Sequence, residues 1–521
     1  MRNKYFFTVI IIMINTVFYG SPFFGGFLVN NEVFDKDSFS TINSLSFYLD
    51  NAFNDNARFY TRLTGSFRYR KDFVSTDSGL YDFTFIPSID LAYFEFKTIG
   101  GSTEGEIGSD FNKGLFLFRF GRIPVIAGNN TLLDIKGEGL DFRFTAGQFS
   151  MRAYGVTNSL DYVRFFDFIG DGNLLVFTNW DNKRVPRLDN HLIPGNTNGF
   201  ISDVTSSDFN LYFSDPKNDY TTIEMERLNN LRLVSVMAGR VFTGLNISVS
   251  EIYNQNISFD FLANIDLIPE EFVITYPNEL ASVQNTFGGR YNSFYISLNV
   301  NGKIIDKLYY DIQGVYQTGV NTTYFDDGIS IKSYDALINS FALYHTVSYL
   351  FSHITKPTLS FGFYYAHGDE DVDYNKNAVI NTAGDDNSFR SPSGIHLGYV
   401  IQPFFSNLFA FSLSHTIKPF ASLGNDFLNE LGIELTGILF FRPVITGETF
   451  IPEKAYYIHG QPGYLADEKY FIGGEIDINI NWRLFSDLLV RVNSGFFIPN
   501  YMIYNSDDFL FKVGISAVLL F

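Results

Sequence analysis

The chain ends on DFLFKVGISAVLLF, residues 508 to 521. Phe509, Phe511, Val513, Ile515, Ala517, Leu519 and Phe521 are all apolar, whereas Lys512, Gly514 and Ser516 interrupt the positions between them. Successive side chains of a strand point to opposite faces, so this period of two predicts a strand with one apolar face. A buried strand of a soluble sandwich could carry the same pattern. The other reading is a strand that closes a membrane barrel by pairing with the first strand of the chain.

Composition favours the second. Of 521 residues, 18% are charged and 18% are aromatic, with 59 Phe and 32 Tyr; ordinary globular chains carry roughly 25% charge. The mean hydropathy is nevertheless only +0.03. Apolar residues are spread by alternation and form no block of about 18, which a spanning helix requires. A chain that is apolar at every second residue fits a barrel with lipid outside and water inside. The net charge of -19 excludes the basic footprint that nucleic-acid binding needs. No cysteine is present, which excludes disulfides, thiolate metal sites, cysteine nucleophiles and lipid attachment through an N-terminal cysteine.

Residues 1–21 have the layout of a secretory signal peptide: Arg2 and Lys4, an apolar run from Tyr5 to Phe18, then Gly20 and Ser21. An uncleaved anchor is the alternative, although the run is shorter than the roughly 20 residues of a span. Residues 22–521 then form a single barrel domain, with no linker dividing it. From about residue 42 the chain is a series of alternating runs, each near the roughly 9–11 residues that a tilted strand needs to cross a bilayer. Examples are ARFYTRLTGSFRYR (57 to 70), GLFLFRFGR (114 to 122), SFYISLNVNG (293 to 302), LSFGFYYAHG (359 to 368) and LGIELTGILFF (431 to 441). Counting such runs predicts an all-β, transmembrane, antiparallel up-and-down β-barrel of roughly 16 to 20 strands, with about 18 as the central value.

Two hairpins are explicit. Between Ile472 and Phe496, the face Ile472, Gly474, Ile476, Ile478, Ile480 and Trp482 opposes Glu475, Asp477, Asn479, Asn481 and Arg483, and Leu484 to Asp487 make the turn. In residues 139–156 the turn is Ala146-Gly147-Gln148, with Leu140, Phe142, Phe144, Phe149, Met151 and Ala153 on one face. Asp141, Arg143, Arg152 and Tyr154 lie on the other. The same parity sends Phe116, Phe118 and Phe120 outward and Arg119 inward. Longer polar and acidic segments, about 158–206, 214–228, 256–288, 320–333, 368–390 and 444–467, alternate with tight connections such as Asn301-Gly302, the end-to-end asymmetry of an outer-membrane barrel. The stretch from Phe259 to Gly288 is the most apolar of these and either folds into the lumen or lies on the rim.

The terminal Phe with apolar residues at every second position resembles the β-signal read by the barrel-assembly machinery of bacterial outer membranes. FRFGRIPVIAG followed by EGLDFRF, together with the closing hairpins GGEIDININWRLFSDLLVRVNSGFF, are similar in layout to alginate-export-like and other substrate-channel porins. The resemblance implies a bacterial outer-membrane location and draws attention to Gly121, Arg122, Glu475 and Asp477. A dense arginine lining of the kind such families use for an anionic polymer is not evident along the chain.

No GxSxG, HExxH or P-loop occurs, and the histidines never fall in pairs at ligand spacing. The expectation is therefore no enzyme, no metal and no cofactor. His367 to Asp373 carries alternating carboxylates, readable as a cation loop or as a solvated acidic loop. The function expected is a porin-like channel for passive diffusion of small hydrophilic solutes, with Arg119, Arg122, Asp141, Arg143, Arg152, Glu475, Asp477 and Arg483 lining the pore. Those charges either set a field across the lumen or pair with one another. The alternative is an outer-membrane adhesin or scaffold that presents its long loops. Lipid is the expected partner, and nucleic acid is not.

Overall fold

A computed structural model of the chain describes residues 21–35, 38–54, 56–72, 82–99, 115–128, 131–157, 240–266, 286–287, 291–326, 331–370, 372–373, 380–381, 384–392, 397–403, 405–423, 426–445, 449–451, 456–458, 470–500 and 509–520. Among these, eighteen long strands follow one another in antiparallel order. They are Ser21–Asp35, Ser38–Asn54, Ala57–Asp72, Asp82–Ile99, Leu115–Ala127, Leu133–Ala146, Phe149–Thr157, Arg240–Ile252 and Gln255–Asp266, then Tyr291–Ile305, Leu308–Asp326, Ile331–Leu350, Thr358–Ala366, Leu408–Ile417, Leu431–Phe441, Phe471–Arg483, Leu488–Pro499 and Leu510–Leu520. The two-residue segment Thr286–Phe287 adds to the sheet beside the eleventh strand.

The last strand pairs with the first, from Phe27 opposite Leu520 to Asp35 opposite Lys512, so the sheet is a closed barrel. Closure leaves no row of unpaired N–H and C=O groups, which is the condition for strands to stand in hydrocarbon. The alternation read from the sequence is realised inside out. In the tenth strand Tyr291, Ser293, Tyr295, Ser297 and Asn299 are buried, while Phe294, Ile296 and Leu298 are exposed. In the sixteenth, Glu475 and Asp477 are buried and Ile476 and Ile478 exposed. Outward rings meet across strands: Phe94 and Phe120 stack at 5.1 Å, and Phe116 and Phe144 lie 4.7 Å apart. Cross-strand aromatic pairs of this kind each stabilise a sheet by roughly 0.2–1 kcal/mol.

Several expectations are corrected by register. Strands begin at Ser21, not near residue 42: the first is Ser21–Asp35 and the second starts at Ser38. Asn301 and Gly302 continue the tenth strand, opposite Asp311 and Tyr310; the turn is Asp306-Lys307, where Lys307 adopts a φ of 68°. Residues 256–266 and much of 320–333, expected as loop, are strand, because their polar positions face inward and not solvent loops. Many strands exceed the expected crossing length, up to 20 residues in Ile331–Leu350. Ile472 is buried, not outward, because the register shifts between Phe440 and Phe441 and turns it in. The segments 158–206 and 214–228 lie outside the described residues, as does 267–285.

Antiparallel order puts the short connections 147–148, 253–254, 306–307, 351–357 and 484–487 at one end of the barrel, the short-turn end, and the 128–132 connection together with the longer 158–239 and 367–407 at the other, the long-loop end. From the long-loop end, two segments enter the lumen. The strap formed by residues 384–392, 397–403 and 405–407 crosses the interior, and the 128–132 connection folds in beside it. Asp386 joins the edge of the twelfth strand where the shorter thirteenth strand leaves it open, with Asp386 N donating to Leu337 O at 2.8 Å and Asn339 N to Asp386 O at 3.0 Å. Ser391 Oγ then reaches Thr131 O at 2.6 Å, and Thr131 Oγ1 reaches Gln313 Oε1 at 2.6 Å on the eleventh strand. The buried apolar core follows these segments: Phe389, Val400, Ile401 and Phe405 of the strap and Leu132 of the connection pack with Tyr295, Tyr344, Ile438 and Phe497 of the wall.

Gly121 of the fifth strand has φ 124°, and a Cβ there would lie 2.3 Å from Ala92 O. Gly121→Ala is expected to lower barrel stability by roughly 1–3 kcal/mol, the range for a residue forced into a sparsely populated backbone region. Urea unfolding in lipid or detergent measures it, with Gly155→Ala, where a Cβ meets nothing within 4 Å, as the comparison.

Candidate functional site

Alternation in the second to seventh strands places Asp50, Arg58, Glu95, Arg119, Asp141, Arg143 and Arg152 in a charged belt on the inner wall, towards the short-turn end, while Arg122, three positions from Arg119, has the opposite parity. Register sets Glu95 opposite Arg119, and Arg119 opposite Asp141. Arg119 Nε donates to Glu95 Oε2 at 2.6 Å, and its guanidinium lies 5.3 Å from the Tyr93 ring centre. Arg58 Nε donates to Asp50 Oδ1 at 2.6 Å and sits over Tyr60, while its Nη1 reaches Glu95 Oε1 at 4.0 Å. Carboxylates and guanidinium groups thus alternate from strand to strand.

Arg143 and Arg152 are directly opposed in register. Like charges in that position destabilise a sheet. Asp141, fully buried, resolves the conflict by accepting from both: Arg143 Nη2 at 2.8 Å and Arg152 Nε at 2.7 Å. Arg152 also donates to Ile126 O at 2.8 Å and covers Tyr154. Arg122 is buried, with Nη1 on Glu138 and Nε on Asp90 O at 3.2 Å. Asp90 receives both Arg62 and Lys136. Six arginines, Arg58, Arg62, Arg119, Arg122, Arg143 and Arg152, therefore gather on the third to seventh strands, each with a carboxylate. The chain order scatters them over about a hundred residues, so their grouping is assembled only by strand pairing. Asp50, Arg58 and Glu95 were not singled out, although their shared parity with Tyr48, Tyr60 and Tyr93 was legible.

Glu475 and Asp477 belong to a different arrangement. Both face inward, but the strap covers them. Glu475 Oε1 accepts the N–H of Val400 at 2.6 Å and that of Tyr399, and Oε2 accepts Ile401 N at 3.3 Å. Asp477 Oδ2 accepts Tyr399 N at 3.1 Å. Arg483 lies apart from both groups, exposed beside the 484–487 turn. Farther along the strap, Arg390 is buried with Asp386, Nη1 to Oδ2 at 2.6 Å, and its guanidinium lies 5.0 Å from the Tyr291 ring centre. Gln317 Oε1 accepts Arg390 N at 2.9 Å and Tyr295 Oη donates to Arg390 O at 2.7 Å. In the acidic run, Asp369 Oδ2 accepts Asn387 N at 2.5 Å, so this carboxylate serves the strap. His415 stands exposed on the fourteenth strand, and His367 stacks on Phe341 at 5.4 Å.

Removing a carboxylate that serves two buried guanidinium groups should cost far more than removing an exposed one. Asp141→Ala is expected to destabilise by roughly 3–5 kcal/mol, as for one broken partner of a buried pair. Asp50→Ala, whose pair with Arg58 is half exposed, should cost less than about 1 kcal/mol. Chemical denaturation of both variants in the same lipid separates the two.

A family model described as Alginate export matches residues 277–505. Comparison with curated proteins returns no match. Among solved structures, Pseudomonas aeruginosa OccK5 (OpdH) is 9% identical with a TM-score of 0.43, covering 96% of this chain and 98% of that one. Pseudomonas aeruginosa OprD is 8% identical with a TM-score of 0.40, covering 96% and 95%. Pseudomonas putida OprB is 10% identical with a TM-score of 0.39, covering 98% and 96%. Superposition scores of this size add nothing to what the strand pairing already establishes, a closed antiparallel barrel.

Proposed function

We propose that the protein is a bacterial outer-membrane channel through which small hydrophilic solutes diffuse passively, with anions favoured. The observation that carries this reading is the inverted wall, with Phe, Leu and Ile exposed around the outside and Arg, Asp, Glu, Asn and Gln enclosed within a closed sheet. No compact soluble fold gains from that arrangement, whereas a barrel in lipid requires it. Eighteen strands enclose more space than their own side chains fill. The strap and the 128–132 connection take up part of it, against the tenth to eighteenth strands. The passage then runs along the charged belt.

Selectivity follows from which charges that belt exposes. The side chains of Arg58 and Arg143 are each 37% exposed, against 27% for Asp50, 10% for Glu95 and none for Asp141. A solute on this wall meets guanidinium before carboxylate, and a low-dielectric wall focuses that field. In this reading residues 1–21 direct export and are removed, Leu510–Leu520 is the strand offered to the assembly machinery, and the outer face contacts lipid.

Refolded protein in a planar bilayer should give discrete openings and, in a salt gradient, a reversal potential of anion-selective sign. The double variant Arg58→Glu with Arg143→Glu should move that potential towards cations. A folded barrel that never opens would end the channel reading, and one that stays silent yet binds a surface ligand would point to the scaffold alternative.

A further inference from the structure

We infer that Glu475 keeps the passage open by holding the strap against the wall, which makes it a positioning residue for permeation and not a pore-lining charge. The inference rests on the channel reading above. The strap is tied into the sheet near both of its ends. Asp386 bonds to Leu337 and Asn339 through the main chain, and Asn407 N donates to His367 O at 3.2 Å while its side chain donates to Val444 O at 2.9 Å. Between these ties, the N–H groups of residues 399–401 meet the sixteenth strand at Glu475, which accepts all three, while Asp477 shares that of Tyr399.

That carboxylate is suited to the task. An ionised carboxylate offers only acceptors, enough for three N–H donors at once, and charge-assisted bonds of this kind are directional. Burial of Leu397, Val400 and Ile401 also favours a strap inside the barrel. Apolar contact is non-directional, however, and does not fix how far the strap stands from the wall. The neighbouring strands are cut to receive it. A Cβ at Gly495 would run into Asp477 Oδ1 and Val400, and one at Gly514 into the Tyr399 hydroxyl, while Lys512 Nζ lies 5.1 Å from the Tyr399 ring centre. Gly398 turns the chain into the carboxylate with a φ of 81°. On the channel reading the passage runs along the arginine belt, so a strap released from Glu475 would narrow it.

The test uses single-channel recording of the full barrel. Glu475→Ala should lose the steady open level and flicker to lower current, and Glu475→Gln, which keeps one acceptor oxygen, should fall between Ala and wild type. Because the chain has no cysteine, a staple can replace the anchor. The Cβ of a residue at 495 would lie 2.7 Å from Val400 Cγ2, so Val400→Cys with Gly495→Cys puts two thiols within disulfide reach. Added to Glu475→Ala, the oxidised staple should restore the steady level, and a reductant should bring the flicker back. A steady, wild-type open level in Glu475→Ala would overturn the inference. So would flicker that persists under the staple. Absence of openings in the wild-type barrel would instead remove the channel reading itself.

Discussion

Every backbone N–H and C=O of a strand needs a partner, and in hydrocarbon none comes from water. The pairing of Ser21–Asp35 with Leu510–Leu520 is therefore the contact on which the rest depends. It joins the two ends of the described chain, removes the last free edges and turns an open sheet into a wall. Once that wall is closed, alternation alone decides the environment of each side chain. Phe294 faces out and Tyr295 faces in, one residue apart, with no other instruction.

Enclosing the polar face creates a second problem, because charges taken out of bulk water are costly unless each is met. The second to seventh strands solve it laterally. Asp50, Arg58, Glu95, Arg119, Asp141, Arg143 and Arg152 come from six different strands and are brought into line by register. Asp141 and Glu95 sink into the wall, while Arg58, Arg143 and Asp50 stay partly exposed. The opposite part of the lumen is met differently, by main chain. There the strap supplies N–H groups to Glu475 and Asp477, and Gln317, Tyr295 and Asp386 take up the donors and acceptors of Arg390. The same residue types thus pair with one another along the wall on one side and anchor a buried segment on the other.

The sequence by itself determined the fold class, close to the strand number and the turns at 146–148 and 484–487, because a period of two, tight turns and an aromatic end are local properties. It also identified which side chains face inward in the two explicit hairpins, so Arg119, Asp141, Arg143 and Arg152 were legible one by one. Local patterns cannot report which strand of a barrel lies beside which charge, nor that a polar connection turns inward. The apolar stretch from Phe259, read as a loop that folds inward or lies on the rim, begins as wall up to Asp266, while the strap is a segment whose polar groups find partners inside. Tertiary structure alone decided that Asp141 joins two opposed arginines and that Glu475 and Asp477, alike in pattern to the belt residues, lie beneath Tyr399, Val400 and Ile401. The physical reason is that register and closure bring together residues hundreds of positions apart, and only that proximity determines whether a charge meets solvent, a counter-charge or a backbone N–H.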